Sequence, residues 1–237
     1  MSEKLTELDE VFASEGLSER LHRVAGPMHE SARNFWRMAI ADTSLTPRMK
    51  ELLLLAMHAT ATSVNERAIA RHVKRAVVAG ASESDVIDVL VSVVGAANHA
   101  LYFAVPILVE QLRHVEGEDQ ACAPLRADVE MVKARFVETR GFWNQERESI
   151  ASLLPDYFIA LSKISMSPWE AGSLTPKERE FIYIAIDCSV THMYGPGLAM
   201  HIRNALRHGA TSAEILAIFQ LSALLGLEGY IMGAEGL

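Results

Sequence analysis

Glutamate and histidine residues occur at matched positions in two halves of this sequence, and such residues can exchange protons with a substrate. A shift of 129 residues superimposes residues 45–108 on residues 174–237 without a gap. Among the matched positions that are ionisable in both halves, four are candidates for such chemistry. The pairs are Glu51 with Glu180, His58 with Asp187, His72 with His201, and His99 with Glu228. Apolar packing alone does not require these residues, so the pattern predicts polar clusters that carry chemistry.

The first half contains the stronger candidate catalytic set. Glu51 and His58 are seven residues apart and therefore share one face of a helix. His72 is expected on the next helix and His99 on a third, so that Glu51 and the two histidines can point at one another. Asn98 precedes His99 and adds an amide donor. The second half has neither an asparagine nor a histidine at the positions that match Asn98 and His99. We therefore predict that the first cluster is the catalytic site. Its second-half equivalents are Glu180, Asp187, His201 and Glu228.

Two other interpretations of these residues remain open. Buried carboxylates and imidazoles need hydrogen-bonding partners, so a Glu–His pair can simply tie helices together. Four of the side chains are also acceptable ligands for Zn²⁺ or a related ion, namely Glu51, His58, His72 and His99. No two of them have the three- or four-residue spacing of common helical metal motifs, and no glycine-rich phosphate loop is present. We therefore predict neither a metal nor a cofactor.

Local signals in each half define the helices that must position these residues. LTPRMKE at 45–51 matches LTPKERE at 174–180, and each Thr-Pro pair is typical of an N-cap followed by proline in the first turn. Gly80 and Gly209 stand where a helix must end in a left-handed residue. A capping-box pattern follows each glycine, in Ser82 to Asp85 and in Thr211 to Glu214.

These signals predict an all-α fold built as a tandem duplication of a helical repeat. Each repeat consists of a helix, a loop of about ten residues, a second helix and a long apolar third helix, with His99 midway along the first of these third helices. We place the first repeat in residues 1–120 and the second in residues 121–237. The intervening stretch 110–154 is also predicted to be helical, and Pro27 and Pro155 suit helix starts.

Composition excludes several classes of function. The chain of 237 residues has a net charge of −8 and no run of Lys or Arg, so a nucleic-acid partner is not expected. The two cysteines are far apart, which suits a reducing cytoplasm, and residues 1–16 do not resemble a signal peptide. The apolar stretches 86–109 and 215–234 approach membrane length, but polar residues interrupt both. We expect them to be buried in the core or in a subunit interface, without a membrane partner.

The repeated motif resembles the carboxymuconolactone decarboxylase and alkylhydroperoxidase-D-like superfamily. The resemblance lies in LTPRMKELLLLAMHA, HVKRAVVAGAS and GAANHALYFAVPIL, and in LTPKEREFIYIAIDCS with HIRNALRHGATSAEI. The segment AANHA at 96–100 is similar to an Ala-Ala-Asn stretch of the decarboxylases. The resemblance implies an all-helical protein that assembles from repeated units, here as a trimer of doubled repeats.

The resemblance also implies an activity on a small carboxylated lactone or a related acid. The peroxidase branch carries a CxxC pair in the loop before the second helix, and neither loop of this sequence contains a cysteine. A dithiol peroxidase needs two thiols within reach of each other, so the decarboxylase branch fits better. A peroxidase-like antioxidant protein and a non-catalytic helical oligomer that binds a small acid remain alternatives.

The decarboxylase resemblance suggests a role for each residue of the first cluster. Loss of CO₂ leaves an extended carbanion that must take a proton on carbon, and His72 is the candidate acid, with Glu51 orienting it. His99 and Asn98 would face the developing enolate oxygen. No cofactor is implied.

Overall fold

The computed structural model describes residues 6–14, 16–116 and 124–237, and helices are the dominant element of this part of the chain. The predicted boundary between residues 120 and 121 lies outside the described residues, as does Cys122. The helices are α1 (Leu17–Ile40), α2 (Pro47–Ala59), α3 (Glu66–Val78), α4 (Glu83–Ala96), α5 (His99–Glu116), α6 (Ala127–Arg140), α7 (Gln145–Leu153), α8 (Pro155–Ala171), α9 (Pro176–Cys188), α10 (Gly195–Arg207), α11 (Ser212–Ala223) and α12 (Glu228–Glu235). No strand occurs in these three stretches, so the all-α prediction is confirmed.

The predicted helix caps are present in both repeats. The Thr46 side chain accepts a hydrogen bond from the Met49 amide, and Thr175 forms a full capping box with Glu178. Gly80 and Gly209 have φ angles of 97° and 83°, which are accessible to glycine at little cost. These local signals alone therefore fix where the repeated helices begin and end.

The loops between the first two helices of each repeat are shorter than the sequence predicts. Residues 60–65 and 189–194 form loops of six residues rather than about ten. Val64 and Met193 occupy matched positions and both have positive φ angles, 38° and 49°. The same backbone turn thus occurs in both halves although its residue types differ, which supports a duplication.

One other predicted element differs from the structure. The long third helix of the first repeat is broken by a turn at residues 97–98, so His99 begins α5 instead of lying midway along one helix. Pro27 lies inside α1, where the backbone is non-helical at Ala25. Pro27 stands two residues after Ala25, in the first turn of the helical segment that follows this kink, so it fits the predicted helix start. Pro155 begins α8 as predicted.

The chain forms two compact units. The first comprises residues 1–90 and 174–237, and it joins the α2–α3 and α9–α10 hairpins of the two repeats. In this unit α2 packs against α9, and α11 packs against both. Residues 52–57 and 181–187 are all buried, so the polar residues on α2 and α9 lie in the core of this unit.

The second unit comprises residues 91–173. Its core contains Val105 and Val109 of α5, Val129 of α6, and Phe158 of α8. Phe136 is fully buried and makes edge contacts with Phe142 and Trp143. The predicted helical character of 110–154 is confirmed for α6 and α7.

Two segments, 83–115 and 212–235, are long and apolar enough to cross a membrane by length and composition alone. The first is interrupted by the turn at 97–98 and the second by a 3₁₀ turn at Leu224–Leu227. The second segment also carries Glu228, which is buried and ion-paired. These features favour core helices, and the absence of a membrane partner stays a prediction.

Candidate functional site

The first cluster is centred on a buried pair, Glu51 of α2 and His72 of α3. Nδ1 of His72 lies 2.8 Å from Oε2 of Glu51, and Nε of Arg75 donates to Oε1 at 3.0 Å. Glu51 and His72 are almost completely shielded from solvent. The predicted Glu–His pair is therefore present, and Arg75 completes it.

The charges of this pair follow from its partners. Burial opposes ionisation of Glu51, but the hydrogen bonds and charges of His72 and Arg75 outweigh it and lower the pKa of that carboxyl. Burial lowers the pKa of His72, against the opposing pull of Glu51. We therefore assign an ionised Glu51 and a neutral His72 that donates its Nδ1 proton to the carboxylate. The Nε2 atom of His72 then carries a lone pair, and it is buried with no hydrogen-bond partner among the described residues.

His58 lies directly on the ring of His72. The two rings are stacked, with centroids 5.3 Å apart and planes within 8°. Burial, together with the charges of His72 and Arg71, lowers the pKa of His58 to about 3, so this ring is also neutral. Its Nδ1 atom is buried, and the described part of the chain supplies it with no hydrogen-bond partner.

Glu228, which matches His99 in the second repeat, contacts the first cluster. Its Oε1 lies 3.5 Å from Nε2 of His58 and forms an ion pair with Arg71. Its Oε2 accepts a hydrogen bond from Asn65 at 3.2 Å. The physical reason is the packing of the two repeats into one unit, which brings the end of the second repeat against α2 and α3. Sequence reasoning missed Arg71 and Arg75, although both lie within one helical turn of His72.

The second cluster repeats the central pair without the arginine. Nδ1 of His201 lies 2.6 Å from Oε2 of Glu180, and the amide of Asn204 donates to Oε1 at 3.2 Å. Asn204 occupies the position that matches Arg75. The ring of Tyr183 stacks on His201 with centroids 4.7 Å apart, where the first cluster has His58 on His72.

Asp187 gives the second cluster a different charge state. Its carboxylate oxygens lie 4.0 Å from Nε2 of His201 and 3.8 Å from Nε2 of His192. Burial and the neighbouring charge of Glu180 raise the pKa of Asp187 to about 8, so this acid carries a proton at neutral pH. Gly197 makes room for it: a Cβ atom there would collide with the Asp187 carboxylate and lie 2.7 Å from Cδ1 of Tyr194.

Asn98 and His99 belong to the second unit. Asn98 is buried in the turn between α4 and α5, and its backbone carbonyl accepts hydrogen bonds from the amides of Leu101 and Tyr102. The ring of His99 packs against that of Tyr102 at 5.8 Å. The expectation that these two residues join Glu51 and His72 stays a prediction.

The candidate metal ligands can be tested against the geometry of the first unit. His58, His72 and Glu228 offer ligand atoms that all lie within 4.8 Å of one another. Two neutral imidazoles and a carboxylate form a donor set that suits Zn²⁺. Glu51 is already bound by His72 and Arg75, and Arg71 holds Glu228, so a cation would have to displace a guanidinium. This competition disfavours a metal at the cluster, and the absence of a metal stays a prediction.

Cys188 lies at the end of α9 and is the one cysteine in the described stretches. Burial raises the pKa of its thiol to about 11. A thiol that resists ionisation is a weak nucleophile, so its environment does not favour peroxidase chemistry.

Comparisons with known proteins agree with this architecture. Residues 154–229 match the model of the carboxymuconolactone decarboxylase family. The whole fold is similar to a crystal structure from Burkholderia xenovorans LB400 of a protein provisionally described as a gamma-carboxymuconolactone decarboxylase subunit. The two chains are 33% identical, the alignment covers 99% of this chain and 94% of the other, and the TM-score is 0.87. No curated protein matches the sequence.

Proposed function

Because the chain belongs to the carboxymuconolactone decarboxylase family, we propose that its first cluster decarboxylates a small carboxylated lactone by proton transfer. The observation that carries the proposal is the geometry of His72. Its Nδ1 is fixed on Glu51, and its Nε2 is buried without a hydrogen-bond partner in the described residues. An imidazole held in one orientation with one nitrogen available is the arrangement that general acid–base catalysis requires.

His72 must take up a proton before it can act as the predicted acid. In the free protein burial keeps its imidazole neutral. A substrate carboxylate bound nearby adds a negative charge, which together with Glu51 favours the imidazolium. When CO₂ leaves, the electrons of the broken C–C bond pass into the conjugated lactone. The resulting carbanion takes the Nε2 proton of His72 on carbon, and solvent restores that proton.

The test compares His72 with its counterpart in the second cluster. With gamma-carboxymuconolactone as substrate, we expect His72→Ala to lower kcat/KM by about a hundredfold or more, since the acid is removed. His201→Ala removes the same contact from the other cluster and is expected to retain most of the activity. Both variants should lose about 1–3 kcal/mol of unfolding free energy, because each leaves a buried glutamate with one partner fewer.

Three results would count against this assignment. Equal loss of activity in folded His72→Ala and His201→Ala proteins would place the reaction in a composite or second site. A folded wild-type protein that releases no CO₂ would instead support a non-catalytic acid-binding protein. Loss of activity by more than about tenfold on replacing Cys122 and Cys188 by Ser, with folding intact, would contradict a reaction that does not depend on thiols.

The active form is proposed to be a homo-oligomer, with a trimer of doubled repeats favoured. Apolar side chains remain largely exposed on the single chain, such as Val24, Met28 and Met38 of α1 and Phe103 of α5. Large exposed apolar patches are typical of subunit interfaces. Light scattering that shows a monomer at micromolar concentration would refute this proposal.

A further inference from the structure

A cavity of about 720 Å³ lies beside α3 in the first unit. Its walls come from α3, from the segment 10–14 near the N-terminus, and from α12. Four cationic side chains of α3 line it, and two carboxylates, those of Glu10 and Glu235, face them. The cationic residues are Arg67, Arg71, Lys74 and Arg75.

Two of these arginines connect the cavity to the buried cluster. Arg71 lines the cavity and is ion-paired with Glu228, which lies 3.5 Å from His58. Arg75 also lines it and binds Glu51, the partner of His72. Each histidine is therefore connected to the cavity through one arginine and one glutamate.

Part of the hydrogen-bonding capacity of these cations is unused among the described residues. Arg67 pairs with Glu235 at the edge of the cavity, 3.2 Å away. The Nε atom of Arg71 is buried and finds no hydrogen-bond partner in the described residues, and Lys74 forms no ion pair with any of them. A planar guanidinium binds any carboxylate of suitable geometry, so Arg71 can pair with a ligand carboxylate in place of Glu228.

The second repeat has no equivalent of this arrangement. Met200 stands at the position of Arg71, and Asn204 at that of Arg75. Of the two related helices, α3 and α10, only α3 can thus offer guanidinium groups at these positions.

We propose that this cavity binds the carboxylate of a small organic acid, and that Arg71 exchanges Glu228 for that carboxylate. The proposal deepens the proposed function, on which it rests for the identity of the substrate. Glu228 keeps its hydrogen bond from Asn65 after the exchange, so it is not left without a partner. Arg71 is then a residue that selects anionic ligands and places them beside His58 and His72.

The experiment uses a ligand that binds but does not react. Tetrahydro-5-oxofuran-2-carboxylate is a lactone acid without the double bond that decarboxylation needs, and its methyl ester is the neutral control. Calorimetric titration at low ionic strength should show the acid binding about tenfold or more tightly than the ester, as expected for a charge-assisted hydrogen bond. Arg71→Met should reduce the affinity for the acid by about tenfold and leave that for the ester unchanged.

Two further variants separate recognition from structure. Arg203→Met removes a cation from the matched helix α10 and should not change the affinity. Glu228→Gln weakens the ion pair with Arg71, so it should raise the affinity for the acid. If that ion pair is purely structural, the variant should bind the acid no better than wild type. A titration in which Arg71→Met binds like wild type, or in which Glu228→Gln binds more weakly, overturns the proposal. Equal competition by inorganic phosphate would replace the organic acid with a general oxyanion site and would also overturn it.

Failure of the proposed function gives a different result. If the inert acid binds through Arg71 but the wild-type protein releases no CO₂ from gamma-carboxymuconolactone, decarboxylation is wrong and the anion site stands. If turnover depends on His72 while binding ignores Arg71, the decarboxylation stands and this site is wrong.

Discussion

The two clusters of the first unit share one geometry and differ in charge. In each, a glutamate on the first helix of the repeat receives one hydrogen bond from a histidine and one from the residue a turn later. That last residue is Arg75 in the first cluster and Asn204 in the second. The cation stabilises an ionised Glu51, while in the second cluster burial and the neighbouring charge of Glu180 raise the pKa of Asp187 to about 8. A duplicated scaffold can therefore hold one site with ionised carboxylates and one with a protonated acid.

The largest expected effect comes from the residue that distinguishes the clusters most directly. Arg75→Met should destabilise the protein by about 3–5 kcal/mol, because it leaves the buried Glu51 carboxylate without its cation. The methionine keeps an apolar contact with Trp36, over which Arg75 now lies at 5.7 Å. Asn204→Leu should cost only about 1 kcal/mol, since it removes a neutral hydrogen bond. Urea unfolding measures both, and equal losses would show that charge does not distinguish the clusters.

The next effect is a dependence of stability on pH that has opposite signs in the two clusters. Asp187 has a folded pKa of about 8 and an unfolded value of about 4, so between these values only the folded state keeps the proton. Its contribution to stability consequently falls as pH rises through this window, by up to about 1.4 kcal/mol per unit. The asparagine of Asp187→Asn cannot titrate. Between pH 5 and 8 the wild-type protein should therefore lose more unfolding free energy than this variant, and the difference should be on the order of 3 kcal/mol.

His58 of the first cluster provides the matching test for the dependence of stability on pH in acid solution. Its folded pKa of about 3 lies below the unfolded value of about 6.5, so its contribution is present above pH 6.5 and is lost as pH falls towards about 3. His58→Gln should flatten the acid limb of the stability curve and leave the limb above pH 7 unchanged. Parallel curves for wild type and Asp187→Asn would contradict a protonated Asp187.

Much of this architecture could be predicted because it depends on local signals. The Thr-Pro caps and the glycines at positive φ follow from short spacings along the chain, and the pairing of Glu51 with His72 follows from the helical hairpin that these signals define. Helix periodicity places Glu51 and His58 on one face of α2. The repeat shows each helix signal twice, which strengthens the prediction of each helix.

The remainder depends on how the repeats pack, which spacing does not reveal. Glu228 lies in the second repeat by sequence, yet it binds Arg71 and approaches His58 of the first. The break at residues 97–98 and the positive φ angles of Val64 and Met193 have no strong residue signal, since tertiary packing selects these conformations. From the sequence alone, an arginine such as Arg75 is expected to lie on the solvent-exposed face of its helix. Its buried position becomes clear only when its buried partner is known.

The smallest of the three effects tests the space that the second cluster reserves for Asp187. Gly197→Ala introduces a Cβ atom against the Asp187 carboxylate and 2.7 Å from Cδ1 of Tyr194, so we expect a loss of about 1–3 kcal/mol from overpacking. Helix propensity alone would favour alanine by about 1 kcal/mol, which makes a net loss diagnostic of the clash. The matched residue of the first repeat is Ala68, which is fully buried, and Ala68→Gly should cost about 1 kcal/mol. If Gly197→Ala is as stable as wild type and keeps the pH dependence assigned to Asp187, the tight packing around that acid is wrong, while its protonation still distinguishes the two clusters.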